Sequence, residues 1–294
     1  MKIKYNFEFA GLAVEFLQTH DEAILAKIAE TDAAKHLLNH AIHCNYNVPK
    51  QSELALVTHL LGVSNAQDIL SGFIRNVEYA KENIADCPDI LGTVANFLPK
   101  DFDFSCSLYF TFGYDIGVAH RSNCSLNLAH PHFLNRPSEL KYYAVHVLHH
   151  AGFMSLKAAP SLNVKTREEM AHLIEYLTQL EGMAVYAPYV LRKFDYALNI
   201  DQDYIALQDN DLIKESISEY FEIYNHFKNH PALPLENSDW DKIAILSDVK
   251  RLWYRVGAHM AHEIEKVHGR DFLTALIAQP SENFINSYKK IHRL

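Results

Sequence analysis

The chain has 294 residues, enough for one large domain or two packed subdomains, and its balance of 49% apolar to 21% charged residues is typical of a globular protein. Because the formal net charge is −9 and no basic stripe is present, we exclude sequence-independent binding to DNA or RNA and do not expect binding to an anionic membrane surface. The four cysteines are widely spaced and form no CxxC pair, which favours structural thiols in a reducing cytosol over a disulfide scaffold.

The first residues alternate between apolar and polar side chains. Ile3, Tyr5 and Phe7 are the apolar members, a pattern that predicts a short strand and not a secretory leader. No run approaches the roughly 18–20 apolar residues that a membrane span needs. We therefore expect a soluble, cytoplasmic protein whose chain opens with a strand.

Helical spacing replaces this alternation over the rest of the first hundred residues. It predicts six helices, at 10–19, 21–30, 32–44, 50–62, 65–86 and 88–98. Asp32 and Ser64 are the predicted N-caps of two of them. No constellation of reactive side chains is apparent in this part, so we interpret its helices as structural elements that pack against one another.

Residues 104–130 are rich in β-forming side chains and are punctuated by Gly113 and Gly117. They predict two or three short strands that form a small sheet directly before the next helix. An exposed edge of such a sheet could bind an extended peptide by strand addition. The alternative is a sheet that only braces that helix.

The remaining chain is predicted to be helical. A helix begins near Pro137 and ends between Gly152 and Leu156, and a Thr166-x-x-Glu169 capping box opens a longer one that reaches Phe194. Later helices are predicted at 209–229, 238–268, 270–278 and 281–291. We expect a mostly α protein with a small β-sheet (α+β), built as one domain over 1–294 with possible subdomains at 1–100, 101–200 and 201–294.

The first of these helices carries His146 and His150, four residues apart in the apolar segment 142–153. This spacing places both imidazoles on one helical face, with Cβ atoms roughly 5–6 Å apart. Two such rings can bind one zinc ion at about 2.0–2.1 Å each. Because the chain has 18 histidines, a chance pair of core histidines with protein hydrogen-bond partners is the alternative.

Glu181 lies in an apolar stretch of the following helix, directly before a glycine that would allow close approach of another element. A buried carboxylate is costly unless it is paired or bound to a metal. Together with His146 and His150 it gives the two-histidine, one-glutamate ligand set of zinc hydrolases. The sequence therefore predicts a zinc site at these three residues.

Three segments carry a resemblance to a known group of enzymes: 146–153 (HVLHHAGF), 181–184 (EGMA), and 253–261 (WYRVGAHMA) with the Gly269-Arg270 pair. Together they resemble the gluzincin-type zinc metallopeptidases and, more narrowly, uncharacterised bacterial zinc-dependent peptidases. The resemblance implies a zincin-like arrangement with helical N-terminal and C-terminal regions. It also implies that His146, His150 and Glu181 are the zinc ligands and that Tyr254 stabilises an oxyanion, although a packed core aromatic is the alternative for Tyr254.

The chain departs from that pattern at Val147, where such peptidases carry the glutamate that takes a proton from the metal-bound water. Loss of a general base typically costs about 10²–10⁴ in rate. The protein could bind peptide without cleaving it, or another residue could be the base. His149 is the first candidate, about 300° around the helix from the first ligand, unless it only hydrogen-bonds a carbonyl; Glu168 and Glu169 are others.

The same departure leaves room for a change of chemistry. Two histidines and a carboxylate also form the facial triad of non-haem iron(II) enzymes, which needs no such base, so iron is the alternative metal. We expect a peptide or small-molecule substrate, no nucleic-acid partner and no membrane. The residues leave open whether the protein is an active hydrolase and what its oligomeric state is.

Two further histidine clusters are interpreted as structural. His259, His262 and Glu263 have ligand-like spacing, but on a helix this polar we expect a solvated or partly buried face. His130 and His132 flank a proline at the end of a strand, where we expect a loop role.

Overall fold

The computed structural model describes residues 1–62 and 66–293 and divides into two compact units. The first unit comprises Met1–Val94 with Phe102–Ser155, and the second comprises Ala95–Asp101 with Leu156–Leu294. Helices dominate and one small sheet is present, which confirms the predicted mostly α class. The predicted subdivision at residues 100 and 200 stays a prediction.

The first unit contains the sheet and the helices around it. Its elements are β1 (Lys2–Asn6), α1 (Glu8–Thr19), α2 (Glu22–Glu30), α3 (Asp32–His43), α4 (Glu53–Leu61), α5 (Ala66–Asn83), α6 (Pro88–Asn96), β2 (Ser105–Thr111), β3 (Gly117–His120), β4 (Asn123–Asn127), α7 (Pro131–Leu134) and α8 (Glu139–Leu156). The opening strand, the predicted helices and the strands between residues 104 and 130 are confirmed, with boundaries shifted by a few residues.

The second unit is helical throughout. Its elements are α9 (Arg167–Tyr186), α10 (Tyr189–Phe194), α11 (Gln202–Gln208), α12 (Asn210–Asn229), α13 (Asn237–Ala244) with a π-helical turn at Ile245–Val249, α14 (Leu252–His268), α15 (Arg270–Ala275) with a 3₁₀ turn at Leu276–Ala278, and α16 (Glu282–His292). Among the described residues, no helix has the length and apolar character needed to cross a membrane.

The sheet has the strand order β1-β2-β4-β3. The opening strand pairs in parallel with β2, which pairs in parallel with β4, and β3 and β4 form an antiparallel hairpin. Gly117 of β3 lies against α8, because a Cβ atom added there would come 2.9 Å from a methyl group of Val147. This contact supports the bracing role of the sheet, while peptide binding at its edge stays a prediction.

The helix caps follow the predictions in part. The capping box of Thr166 and Glu169 is present. The N-cap of α3 is Thr31, whose hydroxyl accepts the backbone N–H of Ala34, so the prediction of Asp32 is wrong by one residue. The predicted cap Ser64 lies outside the described residues. All four cysteines are free, as expected for structural thiols.

Two predicted helices are wrong because each is interrupted. The helix expected to reach Phe194 ends at Tyr186, just before Pro188, whose ring nitrogen cannot donate the next helical hydrogen bond. The helix expected over 238–268 breaks where Arg251 adopts a left-handed conformation (φ 53°). The short helix α11 was not predicted.

The second unit is organised by a close crossing of α9 and α14 at two glycines. A Cβ atom added to Gly182 would come 2.2 Å from the backbone carbon of Gly257, and one added to Gly257 would come 2.3 Å from the carbonyl oxygen of Thr178. Only glycine at both positions lets the two backbones touch. The close approach expected at the residue after Glu181 is therefore confirmed.

We predict that Gly182→Ala lowers the free energy of unfolding by about 1–3 kcal/mol, because the new methyl group must push α9 and α14 apart. The matched control is Gly11→Ala in α1, where no described atom lies within 4 Å of the added carbon. That control should gain about 0.5–1 kcal/mol from helix propensity alone. Urea unfolding followed by circular dichroism measures both, and equal stability of Gly182→Ala and wild type would contradict the crossing.

Candidate metal centre

The predicted histidine pair lies on one face of α8, in the first unit. The ring centroids of His146 and His150 are 4.5 Å apart and the rings are nearly perpendicular. His150 is buried and His146 is half-buried. Val145 and Leu148 of the same helix are fully buried, so packing fixes α8 on several sides.

Two neighbours of the pair on α8 are fully enclosed. His149 has no exposed surface, and its ring lies 6.2 Å from that of Phe153. Val147 is 2% exposed and packs against Gly117 of the sheet. Position 147, where the resemblance predicts a base, is therefore occupied by an apolar contact between helix and sheet.

Glu181 lies on α9 in the second unit and is half-buried. It is adjacent to the Gly182 crossing, so its backbone position is set by the contact between α9 and α14. Its charge affects the nearby phenol of Tyr176. Burial raises the pKa of Tyr176, and the negative charge of Glu181 raises that pKa further.

An arginine cluster that the sequence did not reveal lies at the start of α14. Arg251 donates from Nε to both carboxylate oxygens of buried Asp203 at 3.0 and 3.2 Å, and Arg255 donates to the same carboxylate at 2.9 Å. Burial alone would lower the pKa of Arg251, but the charges of Asp203, Tyr254 and Glu181 outweigh it and raise that pKa. Arg251 is therefore a fixed positive charge in this part of the unit.

The predicted oxyanion residue Tyr254 belongs to this cluster. The guanidinium carbon of Arg251 lies 3.7 Å from the centroid of the Tyr254 ring, a cation–π contact. Because Arg251 interacts electrostatically with both Glu181 and Tyr254, these two predicted site residues share one charged neighbour. The sequence analysis missed this cluster because no sequence pattern indicates the left-handed backbone of Arg251.

The other candidates for the general base, Glu168 and Glu169, lie in the first turn of α9. Glu169 accepts the backbone N–H groups of Lys165 and Thr166, and these hydrogen bonds lower its pKa. It is thus part of the capping box. Glu168 is exposed to solvent in the first turn of the same helix.

The second histidine cluster has the partly buried, solvated character that was expected. His262 is exposed and its Nδ1 is 3.2 Å from the hydroxyl of Tyr186, while Glu263 is 3.7 Å from His292. Burial, more than any other cause, lowers the pKa of His259. Within the described part of the chain, these residues form no group of donors that could hold a metal ion.

The structural role expected of the histidines that flank Pro131 is confirmed for His130, which is the N-cap of α7. Its Nδ1 accepts the backbone N–H of His132. His132 lies inside α7, and its Nε2 is 3.0 Å from Glu139.

The fold and these side chains define a mostly α-helical protein with a two-histidine pair of metal-ligand spacing on a buried helix. The sequence model of the family described as "Putative zinc dependent peptidase (DUF5700)" matches residues 15–294. The chain therefore belongs to this family, whose description implies zinc dependence. Comparison with curated proteins and comparison with solved structures each give no match.

The arginine cluster leads to a stability prediction. Asp203→Asn should lower the free energy of unfolding by about 1–3 kcal/mol, since it removes the carboxylate that two arginines share. Glu219→Gln, which breaks the more exposed pair with Lys250, is the matched control and should cost less than about 1 kcal/mol. Thermal and urea unfolding compare the two variants, and an equal cost would mean that the cluster does not stabilise α14.

Proposed function

We propose that this protein is a zinc metallopeptidase-like protein in which His146, His150 and Glu181 bind one zinc ion. The observation that carries the proposal is the histidine pair of metal-ligand spacing on α8, together with a half-buried glutamate on α9, in a chain of a family described as zinc dependent. The ligand types are those of catalytic zinc sites, which keep an open position for water or substrate.

A zinc ion bound there would supply a Lewis acid that polarises a peptide carbonyl. The roles of the chain's own residues follow from their chemistry. His146 and His150 contribute neutral imidazole nitrogens from one rigid helix, and Glu181 contributes a carboxylate that offsets part of the ion's charge. Tyr254 is the proposed donor to a developing oxyanion, with its ring fixed under Arg251.

Peptide hydrolysis needs a proton acceptor that Val147 cannot provide. His149 is the proposed substitute, although its complete burial favours a structural role unless α8 adjusts on substrate binding. The second candidate function is therefore peptide binding without cleavage, and the observation that favours it is the apolar Val147–Gly117 contact at the position of the base. The two functions share the zinc site and differ only in turnover.

We predict that protein purified without added metal contains about one zinc ion per chain, and that His146→Ala, His150→Ala and Glu181→Gln each retain less than about a tenth of it. Elemental analysis by mass spectrometry measures the content. His262→Gln is the matched control, a histidine substitution in the cluster interpreted as solvated, and should keep its zinc. Near-stoichiometric iron would favour the non-haem iron alternative, and metal content unchanged by all three substitutions would remove the site assignment.

We predict that Val147→Glu raises cleavage of a peptide library by at least about 10²-fold over Val147→Gln, which has similar size but cannot act as the base. Both variants place a polar group in a buried position, so both should lose stability, and rates are compared at temperatures where both remain folded. Mass spectrometry of the digested library gives the rates. Equal rates in Val147→Glu, Val147→Gln and wild type would show that the absent glutamate does not limit turnover.

His149→Gln and Tyr254→Phe test the two proposed catalytic residues. If wild type cleaves peptides with His149 as base, His149→Gln should lower kcat by about 10²–10⁴. Tyr254→Phe should lower kcat by about 10²–10³ with little change in KM, the pattern of a lost oxyanion donor. Zinc content is measured in parallel. An unchanged kcat at full zinc occupancy would exclude a catalytic role for the residue that was replaced.

A further inference from the structure

The arginine cluster at the start of α14 holds more positive charge than its buried carboxylate neutralises. Arg251 donates from Nε to both carboxylate oxygens of Asp203, and its Nη2 lies 2.9 Å from Oδ2 of the same group. Arg255 donates from Nε to Oδ1 at 2.9 Å. Because a guanidinium group stays protonated in proteins, two positive charges share one carboxylate, and these three residues carry one excess positive charge.

Both arginines keep N–H groups that Asp203 does not use. A guanidinium group has five N–H donors in a fixed fork. The contacts with Asp203 use Nε and Nη2 of Arg251 but only Nε of Arg255, which leaves the Nη1–Nη2 edge of Arg255. Among the described residues, neither arginine has a nitrogen that is both buried and unpaired, so the unused donors reach solvent. They are available to a second acceptor.

The surrounding side chains hold these donors in place. The side chains of Asp203, Arg255 and Arg251 are 6%, 18% and 38% exposed. The guanidinium group of Arg251 is fixed further by the ring of Tyr254, at 3.7 Å. An arginine that is already ordered loses little rotamer entropy when it binds an anion. The cluster differs in this respect from Lys250, a cation at the surface whose side chain is 46% exposed.

The crossing of α9 and α14 places the cluster in the same region of the second unit as the proposed zinc ligand. Arg255 is two residues before Gly257, Glu181 is one residue before Gly182, and the two glycines form the backbone contact between the helices. At a rise of about 1.5 Å per residue, both Arg255 and Glu181 lie within one helical turn of this contact.

We propose that Arg251 and Arg255 bind a carboxylate of the peptide substrate, either the C-terminal carboxylate or that of an acidic side chain. The two oxygens of a carboxylate match the guanidinium fork, and the charge of the bound carboxylate balances the excess positive charge of the cluster. Glu181 does not provide this balance, because its carboxylate is assigned to the zinc ion. The inference rests on the proposed function for the peptide substrate, but the carboxylate contacts use none of the zinc ligands.

Three peptides of otherwise identical sequence separate the two sources of the carboxylate. The first has a free C-terminus and no acidic residue, the second is its C-terminal amide, and the third is that amide with one alanine replaced by glutamate. Each carries an uncharged fluorophore at its N-terminus, and fluorescence anisotropy measures its Kd. The first or the third should bind wild type at least about tenfold tighter than the second, as expected for charge-assisted hydrogen bonds. The tighter of the two identifies the carboxylate.

Variants of the cluster test the assignment of residues. Arg255→Gln should abolish the preference for the carboxylate, because it removes the unused fork while Arg251 keeps its bonds to Asp203. Arg255→Lys keeps the charge without the fork and should retain part of the preference. Lys250→Gln is the matched control and should retain all of it. The ratio of the Kd values is compared, since a partial loss of folded protein affects all three peptides alike.

The zinc content of the same samples separates failure of this site from failure of the zinc assignment. Equal affinity for the three peptides, no saturable binding of any of them up to about 1 mM, or a preference that survives Arg255→Gln would overturn the carboxylate site, even at full zinc occupancy. A preference that Arg255→Gln abolishes, measured on protein that contains no zinc, would support the carboxylate site and remove the zinc assignment.

Discussion

The contact between the backbones of α9 and α14 at Gly182 and Gly257 is the constraint on which the second unit depends. Since no side chain separates the helices there, the residue next to the crossing, Glu181, has a fixed backbone position. A larger residue at either glycine would move the helix that carries the proposed metal-binding carboxylate. Packing and chemistry are therefore linked at neighbouring residues of one helix.

The arginine cluster complements this crossing with charge. Arg251 adopts a left-handed conformation that costs about 1–2 kcal/mol for a residue with a Cβ atom, and its hydrogen bonds to buried Asp203 offset that cost. Its guanidinium then covers the ring of Tyr254 and places a positive charge near Glu181. A strained residue held in this way is typical of functional regions, where the surrounding structure maintains an otherwise unfavourable geometry.

Two features of the histidine helix α8 bear differently on the two parts of the proposed function, zinc binding and peptide cleavage. Membership of a family described as zinc dependent agrees with a pair of imidazoles whose centroids are 4.5 Å apart. In the same helix, Val147 contributes to the packing of α8 on the sheet through Gly117. The packing of α8 fixes the positions of the two imidazoles, whether or not a base is present on the same helix.

Local patterns in the sequence determined most of the elements, because helix periodicity, strand alternation and the Thr166–Glu169 capping box depend on residues close together in the chain. The pairing of His146 with His150 was predictable for the same reason, since a helix fixes the distance between residues four apart. Only the tertiary structure decided the parallel pairing of β1 with β2, the contact of Gly182 with Gly257 and the left-handed Arg251. These features join residues distant in sequence, and their energies come from contacts and charges that no local pattern contains.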